Sequence, residues 1–209
     1  MRFTIGDREK QLIKHLHSGE RTAMKEFYSL YAGYLSAVGS RYISDDNDLK
    51  DVLQDSFLKI FTHIGDFHYQ GQGSLKAWAA RIVVNVAITF LRQRRHDDLL
   101  PAENMAVGEM ETDDPPIDDI PPEVIHQLVR ELPEGYRAVF NLYVFEQKSH
   151  REIAQILGIK QDSSASQLHR AKNLLARKIE QYRAEHADPL SPNEYTLHTI
   201  TQPSTLSKQ

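Results

Sequence analysis

The chain has 209 residues, of which 40% are hydrophobic, enough for one large or two small domains with buried cores. It contains no cysteine, which excludes disulfides, thiolate zinc sites and a cysteine nucleophile. Its formal net charge of -4 argues against a nucleic-acid partner only if the charge is evenly distributed, and it is not.

The N-terminal half predicts four helices, because apolar residues recur at helical spacing over 8–16, 22–42, 48–64 and about 74–95. The acidic group Asp45–Asn47 predicts a cap for the third helix. The second helix places one apolar stripe toward the core, made of Ala23, Phe27, Leu30, Tyr31, Tyr34, Leu35 and Val38. We find no signal core and no apolar run long enough to span a bilayer, so the sequence predicts a cytoplasmic protein without membrane insertion.

A loop and a basic helix follow the third helix. Residues 65–73 contain three glycines and two aromatic residues, and no Asp or Glu occurs from Phe67 to His96. Aromatic faces and loop pockets can hold unstacked bases while arginines follow the phosphates. Trp78, in the fourth helix, has two interpretations: it is a core residue, or it also contacts nucleic acid.

The charge reverses after this helix. Ten acidic residues and no Lys or Arg lie between Asp97 and Glu123, so the rest of the chain carries a net charge of +6. Two Pro-Pro pairs in the same segment discourage helix. We expect a flexible acidic linker over 97–121, which is either simply solvated or lies transiently over the basic faces.

A second helical domain is predicted over 122–182, followed by a polar, disordered tail over 183–209. It begins with a helix over 124–132 and a second one after Pro133, which buries Ala138, Val139, Leu142, Tyr143 and Phe145. The last two helices form a hairpin over 149–179.

Ser149 and Glu152 stand at the spacing of a capping box where the hairpin begins. Gly158 is placed to end the first helix of the hairpin, and Asp162 or Ser163 to cap the second. No acid occurs between Ser163 and Ile179. A glycine turn followed by a basic helix is typical of a helix-turn-helix that enters the major groove. The alternative is a hairpin that packs on another protein surface.

Two separate stretches resemble one protein family. Residues 48–67 (DLKDVLQDSFLKIFTHIGDF) with 74–95 (SLKAWAARIVVNVAITFLRQRR) are similar to region 2 of bacterial extracytoplasmic-function (ECF) sigma factors. Residues 132–179 are similar to their region 4. The resemblance covers most of residues 8–182, and the linker holds no extra helical domain. It implies an all-α fold of two small helical domains, with region 2 over 8–96 and region 4 over 122–182.

The resemblance also implies a function. A sigma factor binds core RNA polymerase and directs promoter-specific transcription initiation. Region 2 would bind the clamp helices of the polymerase β′ subunit and open the -10 element of promoter DNA, while region 4 would read the -35 element and touch the β flap. Members of the family often have an anti-sigma factor as a further partner.

The implied site residues fall into three sets. The polymerase contact comprises Asp51, Leu53, Gln54, Asp55 and Phe57. The -10 contact comprises Phe67, His68, Tyr69, Lys76, Trp78, Arg81, Asn85, Arg92, Arg94 and Arg95. The -35 contact comprises Lys160, Ser163, Ser164, Ser166, Gln167, His169, Arg170 and Lys172.

Four positions depart from the usual family pattern, and they leave the loop geometry and base preference open. Ala79 replaces a larger apolar residue, and Thr89 stands where an acid is common. Asp162 and Ser163 stand where Gly-Thr is frequent.

Other classes of function explain less of the sequence. An enzyme would need a motif such as a P-loop, G-x-S-x-G or H-E-x-x-H, and none occurs. The histidines show no metal-ligand spacing, so we expect no metal and no cofactor. A stand-alone helix-turn-helix regulator that does not bind polymerase leaves the face around Asp51–Phe57 and the basic unit over 65–95 unexplained. A helical adaptor leaves both acid-free helices unexplained.

Overall fold

The structure, a computed structural model, describes residues 5–97, 117 and 119–186. These residues form helices joined by loops and contain no β-strand, which confirms the predicted all-α class. The helices are α1 (Ile5–His17), α2 (Arg21–Ser40), α3 (Asp46–His63), α4 (Ser74–Asp97), α5 (Pro122–Arg130), α6 (Glu134–Val144), α7 (His150–Leu157) and α8 (Gln161–His186). A 3-10 turn, Ile64–Asp66, extends α3.

Helix α3 begins two residues earlier than the apolar pattern alone predicts. The carboxylate of Asp45 accepts hydrogen bonds from the backbone N–H groups of Asn47 at 2.9 Å and Asp48 at 3.0 Å. These bonds satisfy donors that a helix start leaves without partners, and they lower the pKa of Asp45. The predicted acidic cap is therefore confirmed, with Asp45 as its residue.

Helices α1 to α4 form the N-terminal domain around a core in which Phe27 is fully buried. The Phe27 ring lies 4.9 Å from that of Tyr31 and 5.6 Å from that of Phe61, measured between centroids. Two residues of the predicted apolar stripe of α2 are exposed instead of buried. Leu30 is 59% exposed, and Tyr34 lies on the surface with the Lys76 ammonium 3.9 Å from its ring. The reason is that only one side of α2 is covered by α3 and α4.

Helix α4 is the central helix of this domain. By length and composition alone, the helical segment Ser74–Arg94 could cross a membrane, contrary to the prediction that no apolar run is long enough. Its apolar side chains instead pack inside the fold, with Leu75, Val83 and Ala87 fully buried. The opposite face carries the basic and polar side chains.

Helices α5 to α8 form the C-terminal domain, with α8 packed along α6 and α7. The predicted stripe of α8 is buried at Leu168, Ala171, Leu175 and Ile179. In α6, Ala138, Val139 and Leu142 are buried as expected, but Tyr143 and Phe145 are exposed. Phe145 follows the end of α6, and the guanidinium of Arg41 lies 4.4 Å from its ring.

The two domains share an apolar core, which includes Leu91 and Leu157, and buried polar contacts beside it. Arg137, only 4% exposed, donates from Nε to the Tyr42 carbonyl at 3.0 Å. Asn141 is fully buried and donates from Nδ2 to the Arg41 carbonyl at 2.7 Å. Both carbonyls belong to the loop that follows α2, so side chains of the C-terminal domain satisfy backbone groups of the N-terminal domain that would otherwise be buried without partners.

Most of the predicted acidic linker, and the tail beyond 186, lie outside the described residues. The described end of the linker is docked on the C-terminal domain, since Ile120 is buried and Asp119 pairs with Arg183 at 2.7 Å. That ion pair lowers the pKa of Asp119. The C-terminal domain therefore begins slightly earlier than predicted, and α8 continues to His186 rather than ending at Tyr182.

Candidate polymerase and nucleic-acid interfaces

The exposed face of α3 combines acids with aromatic and aliphatic groups. Asp51, Gln54 and Asp55 are exposed, while Leu53 and Phe57 are half-buried. The Phe57 ring lies 4.9 Å from that of Tyr28 on α2. We call the set Asp51, Leu53, Gln54, Asp55, Phe57, Tyr28 and Leu58 the α3 face.

Two residues of this face, Tyr28 and Leu58, were not among the polymerase contacts predicted from the sequence. Tyr28 is 56% exposed and Leu58 is 67% exposed, so each presents apolar surface to solvent. Each directly follows a residue of the apolar stripe, and an apolar residue just outside a buried stripe is the signal that would have found them. The α3 face therefore combines exposed apolar groups with carboxylates.

A cleft of about 270 Å³ opens between the 3-10 turn and the first turns of α4. Its lining includes Asp66, His68, Gln70, Trp78 and Arg81. The Trp78 ring is half-buried, so part of its surface faces this cleft. A cleft with an aromatic wall and a cation can accept a planar heterocycle next to a phosphate. We call it the Trp78 cleft.

Phe67 lines the same cleft but is largely buried. It is 6% exposed, and its ring packs on that of Trp78 with centroids 5.1 Å apart. Its side chain therefore forms part of the cleft wall and supports Trp78. Tyr69 is half-buried beside the cleft.

The basic and polar side chains on the surface of α4 differ in their contacts with other side chains. Lys76, Arg81, Asn85, Arg92 and Arg94 are exposed. Lys76 rests on Tyr34, and Arg94 forms an ion pair with Asp48. Arg95 lies in α4, but its side chain is outside the described part of the chain.

Arg92 lies where the two domains meet. It lines a shallow groove together with Leu91, Glu134, Ala138 and Leu157, so the last turns of α4 lie against α6 and α7. The basic surface most open to a partner is therefore the first half of α4, next to the Trp78 cleft.

The hairpin of α7 and α8 begins with the predicted capping box. The Ser149 backbone N–H donates to Glu152 Oε2 at 2.9 Å, and the Glu152 N–H donates to Ser149 Oγ at 3.3 Å. The bond from the Ser149 N–H and a 2.8 Å bond from the Ser149 hydroxyl to the Glu152 carboxylate lower the pKa of Glu152. Gly158 ends α7 with φ of 67°, the left-handed conformation predicted for it.

The start of α8 differs from the prediction. The helix begins at Gln161, so Asp162 and Ser163 lie in its first turn and neither is the cap. Ser164 is fully buried and shares a 3.0 Å hydrogen bond with Nδ1 of His150. Its hydroxyl joins α7 to α8, because the three-to-four residue period of the helix turns position 164 toward α7.

The remaining predicted -35 residues share one side of the hairpin. Lys160, Ser166 and His169 are exposed, and Ser163, Gln167, Arg170 and Lys172 are half-buried. Arg170 donates to the Tyr136 hydroxyl at 3.4 Å, and His169 shares a 3.0 Å hydrogen bond with Asn173. The most accessible part of this side is the turn and first two turns of α8, formed by Lys160, Ser166 and His169.

Comparison with protein families decides the class. The family described as sigma-70 region 2 matches residues 27–96, and the family described as sigma-70 region 4 matches residues 123–175. The chain belongs to the sigma-70 family. These ranges lie within the N-terminal and C-terminal domains of the structure, and they leave out α1, the beginning of α2 and the end of α8.

Several curated relatives are ECF or other RNA polymerase sigma factors. The ECF RNA polymerase sigma-E factor of Haemophilus influenzae is 28% identical over 82% of this chain and 95% of its own length. The RNA polymerase sigma-H factor of Pseudomonas aeruginosa is 26% identical, covering 83% of this chain and 95% of its own. The ECF factor SigW of Bacillus subtilis is 24% identical, covering 81% and 96%.

Solved structures also align with the chain. The structure of CnrH in complex with the cytosolic domain of CnrY matches at 22% identity with a TM-score of 0.41, covering 81% of this chain and 96% of that one. The protein is an ECF sigma factor that binds core RNA polymerase and directs promoter-specific initiation of transcription. Within the described residues, no group of three or more potential ligands could hold a metal ion.

The buried bond between α7 and α8 generates a first prediction. Ser164→Ala removes the partner of His150 and should lower the free energy of unfolding by about 1–2 kcal/mol, as for other buried hydrogen bonds. Ser166→Ala, on the exposed side of α8, should change it by less than about 0.5 kcal/mol. Urea unfolding followed by circular dichroism measures both. Unchanged stability of Ser164→Ala together with weaker duplex binding would restore Ser164 as a DNA contact.

Proposed function

We propose that the α3 face is the surface by which this sigma factor binds the clamp helices of the polymerase β′ subunit. Exposed apolar groups edged by carboxylates suit a protein partner, since burial of apolar area drives association and the acids select a basic surface. Tyr28 and Leu58 supply apolar area that is open in the described structure. Asp51 and Asp55 supply the charge.

The N-terminal domain, on this proposal, opens the -10 element. The observation that carries it is the Trp78 cleft, where an aromatic wall and Arg81 lie at the start of an acid-free helix face. A base that leaves the DNA stack loses stacking worth a few kcal/mol, and a protein pocket with an aromatic side chain can replace it. His68 lines the same cleft, and Asn85 lies further along α4.

The C-terminal domain, on the same proposal, reads the -35 element as duplex. A helix-turn-helix places its second helix in the major groove and presents the residues near its N-terminus to base edges. Lys160, Ser166 and His169 are exposed at that end of α8. Binding two promoter elements through one chain converts the second contact into an intramolecular step and strengthens the whole.

Further partners and the location follow from the family and are part of the proposal. The C-terminal domain would also touch the β flap, and an anti-sigma factor would hold the protein inactive. Because its polymerase and its DNA lie inside the cell, we place the protein in the cytoplasm. As a sigma factor it would carry no catalytic site or cofactor of its own.

The polymerase surface is tested by reversing its charge. The double variant Gln54→Arg and Asp55→Arg should capture at least tenfold less core polymerase, because like charges across an interface cost several kcal/mol. Glu180→Arg on exposed α8 makes a similar charge change elsewhere and should retain capture. Pull-down with core enzyme measures both, and equal capture by the double variant and the control would place the polymerase contact on another surface.

The cleft is tested through Trp78. Trp78→Ala should slow opening of a promoter by about tenfold or more, since stacking on an aromatic side chain is worth about 1–3 kcal/mol per base. Trp78→Phe keeps an aromatic face and should lose less. Permanganate reactivity of unpaired thymines measures opening on a promoter selected by run-off transcription from random DNA. If Trp78→Ala opens DNA at the unmodified rate, Trp78 is a core residue alone.

The duplex contact is tested by its dependence on salt. Lys160→Ala should weaken binding to the -35 duplex and reduce the slope of log affinity against log salt by about one, as expected for one lost phosphate contact. Lys14→Ala, an exposed lysine on α1, should leave the slope unchanged. Fluorescence anisotropy at several salt concentrations gives the slopes. An unaltered slope for Lys160→Ala would remove this residue from the contact.

A further inference from the structure

Helix α1 contributes a buried acid to the N-terminal domain, although it lies before the residues matched by sigma-70 region 2. Glu9 is 7% exposed. Its Oε2 accepts from the backbone N–H of Gly73 at 2.7 Å, and its Oε1 accepts from that of Leu75 at 2.9 Å. Both carboxylate oxygens are therefore committed to the start of α4.

These bonds replace a local cap. The first N–H groups of a helix have no partners within the helix, and the first turn of α4 contains no acid that could serve them. Hydrogen bonds from N–H groups to a carboxylate are stronger than neutral ones, and negative charge is favoured at a helix N-terminus. The position of α4's first turn is thus set by α1 rather than by the neighbouring sequence.

Besides the contacts from α1, the loop before α4 is held by short-range hydrogen bonds, such as that from the Ser74 N–H to the Gly71 carbonyl at 3.1 Å. Gly71 and Gly73 adopt φ of 123° and 84°, conformations that glycine reaches easily. The Gln70 N–H donates to Ser74 Oγ at 3.2 Å, a bond exposed to solvent. A glycine-containing loop of this kind needs an outside contact to hold one conformation.

A second contact from α1 reaches the same loop. The Lys10 ammonium lies 5.2 Å from the centroid of the Tyr69 ring. Glu9 and Lys10 therefore bracket residues 69–75, one at each end. Gln70 and Ser74, which line the Trp78 cleft, lie within this segment, so the geometry of the cleft depends on where α1 holds it.

We infer that Glu9 is a positioning residue for promoter opening, acting through the 69–75 segment on the shape of the Trp78 cleft. This inference rests on the proposed role of that cleft in holding an unstacked base. Glu9 touches no DNA in this scheme. It holds the loop in the conformation that receives the base, and Lys10 steadies the other end of the loop through Tyr69.

The test uses Glu9→Gln, which keeps the size of the side chain and one acceptor oxygen but turns an amide N–H₂ toward the other donor. The rate of promoter opening by the reconstituted holoenzyme should fall about tenfold, the size expected for loss of a charged hydrogen bond. Core polymerase capture and the initial binding of closed promoter should stay at the unmodified values. A loss confined to opening is a result that general destabilisation would not produce.

Trp78 supplies an independent readout, because it is the sole tryptophan of the chain. Glu9→Gln should shift its emission and increase its quenching by acrylamide in the free protein, since the cleft wall changes shape. Glu26→Gln removes the same charge from an exposed position on α2 and should change neither the emission nor the opening rate.

Lys10 provides a second variant that does not threaten folding, because its side chain is exposed. Lys10→Met should slow opening by about twofold, as expected for loss of an exposed cation–π contact, and Lys10→Arg should restore the unmodified rate. Normal opening by both Glu9→Gln and Lys10→Met, with the unmodified protein active, would overturn the inference and leave the proposed function intact.

Two further outcomes are separable. If Glu9→Gln loses core capture and opening in parallel, Glu9 serves only to keep the domain folded and the inference is wrong. If the unmodified protein itself opens no promoter, the proposed function is wrong, and with it the role given to Glu9. Trp78 emission would then show only whether Glu9 shapes the loop.

Discussion

The structure depends on one helix that must serve as core and as DNA surface at once. Helix α4 buries Leu75, Val83 and Ala87 completely, and α2 and α3 pack on that face. Its remaining face is free of acids until Asp97 and can offer only basic and polar groups. Because both faces belong to one helix, the packing of the buried face of α4 also sets the position of the Trp78 cleft.

The ends of helices carry much of the long-range organisation. Glu9 serves the start of α4, while Arg137 and Asn141 bind carbonyls that follow the end of α2. In each case a side chain from a distant part of the chain satisfies backbone groups at or just beyond a helix end. Burial lowers the pKa of Arg137, and three backbone carbonyls, including that of Tyr42, hold its charged form in place.

The sequence alone predicted the features that depend on residues close together in the chain. The capping box of Ser149 and Glu152, the left-handed turn at Gly158 and the acidic cap of α3 each depend on residues three or fewer apart, and each is present. The apolar periods placed every described helix, since burial of one face dominates helix formation in water. The acid-free stretches identified both basic helices, because charge is a property of composition rather than of conformation.

Only the tertiary structure decided which of these side chains are exposed to solvent and which are buried. Leu30 and Phe145 fit an apolar stripe yet remain exposed, because no neighbouring element covers them. Phe67 and Ser164 were predicted to contact DNA, yet both side chains are buried. Phe67 packs on Trp78, and Ser164 shares a hydrogen bond with His150. The sequence by itself determined the helices, since these depend on local pattern, and the resemblance of its motifs to a known family determined the sigma-70 class. The Trp78 cleft and the reach of Glu9 to Gly73 required the fold, because they join residues whose proximity no local period encodes.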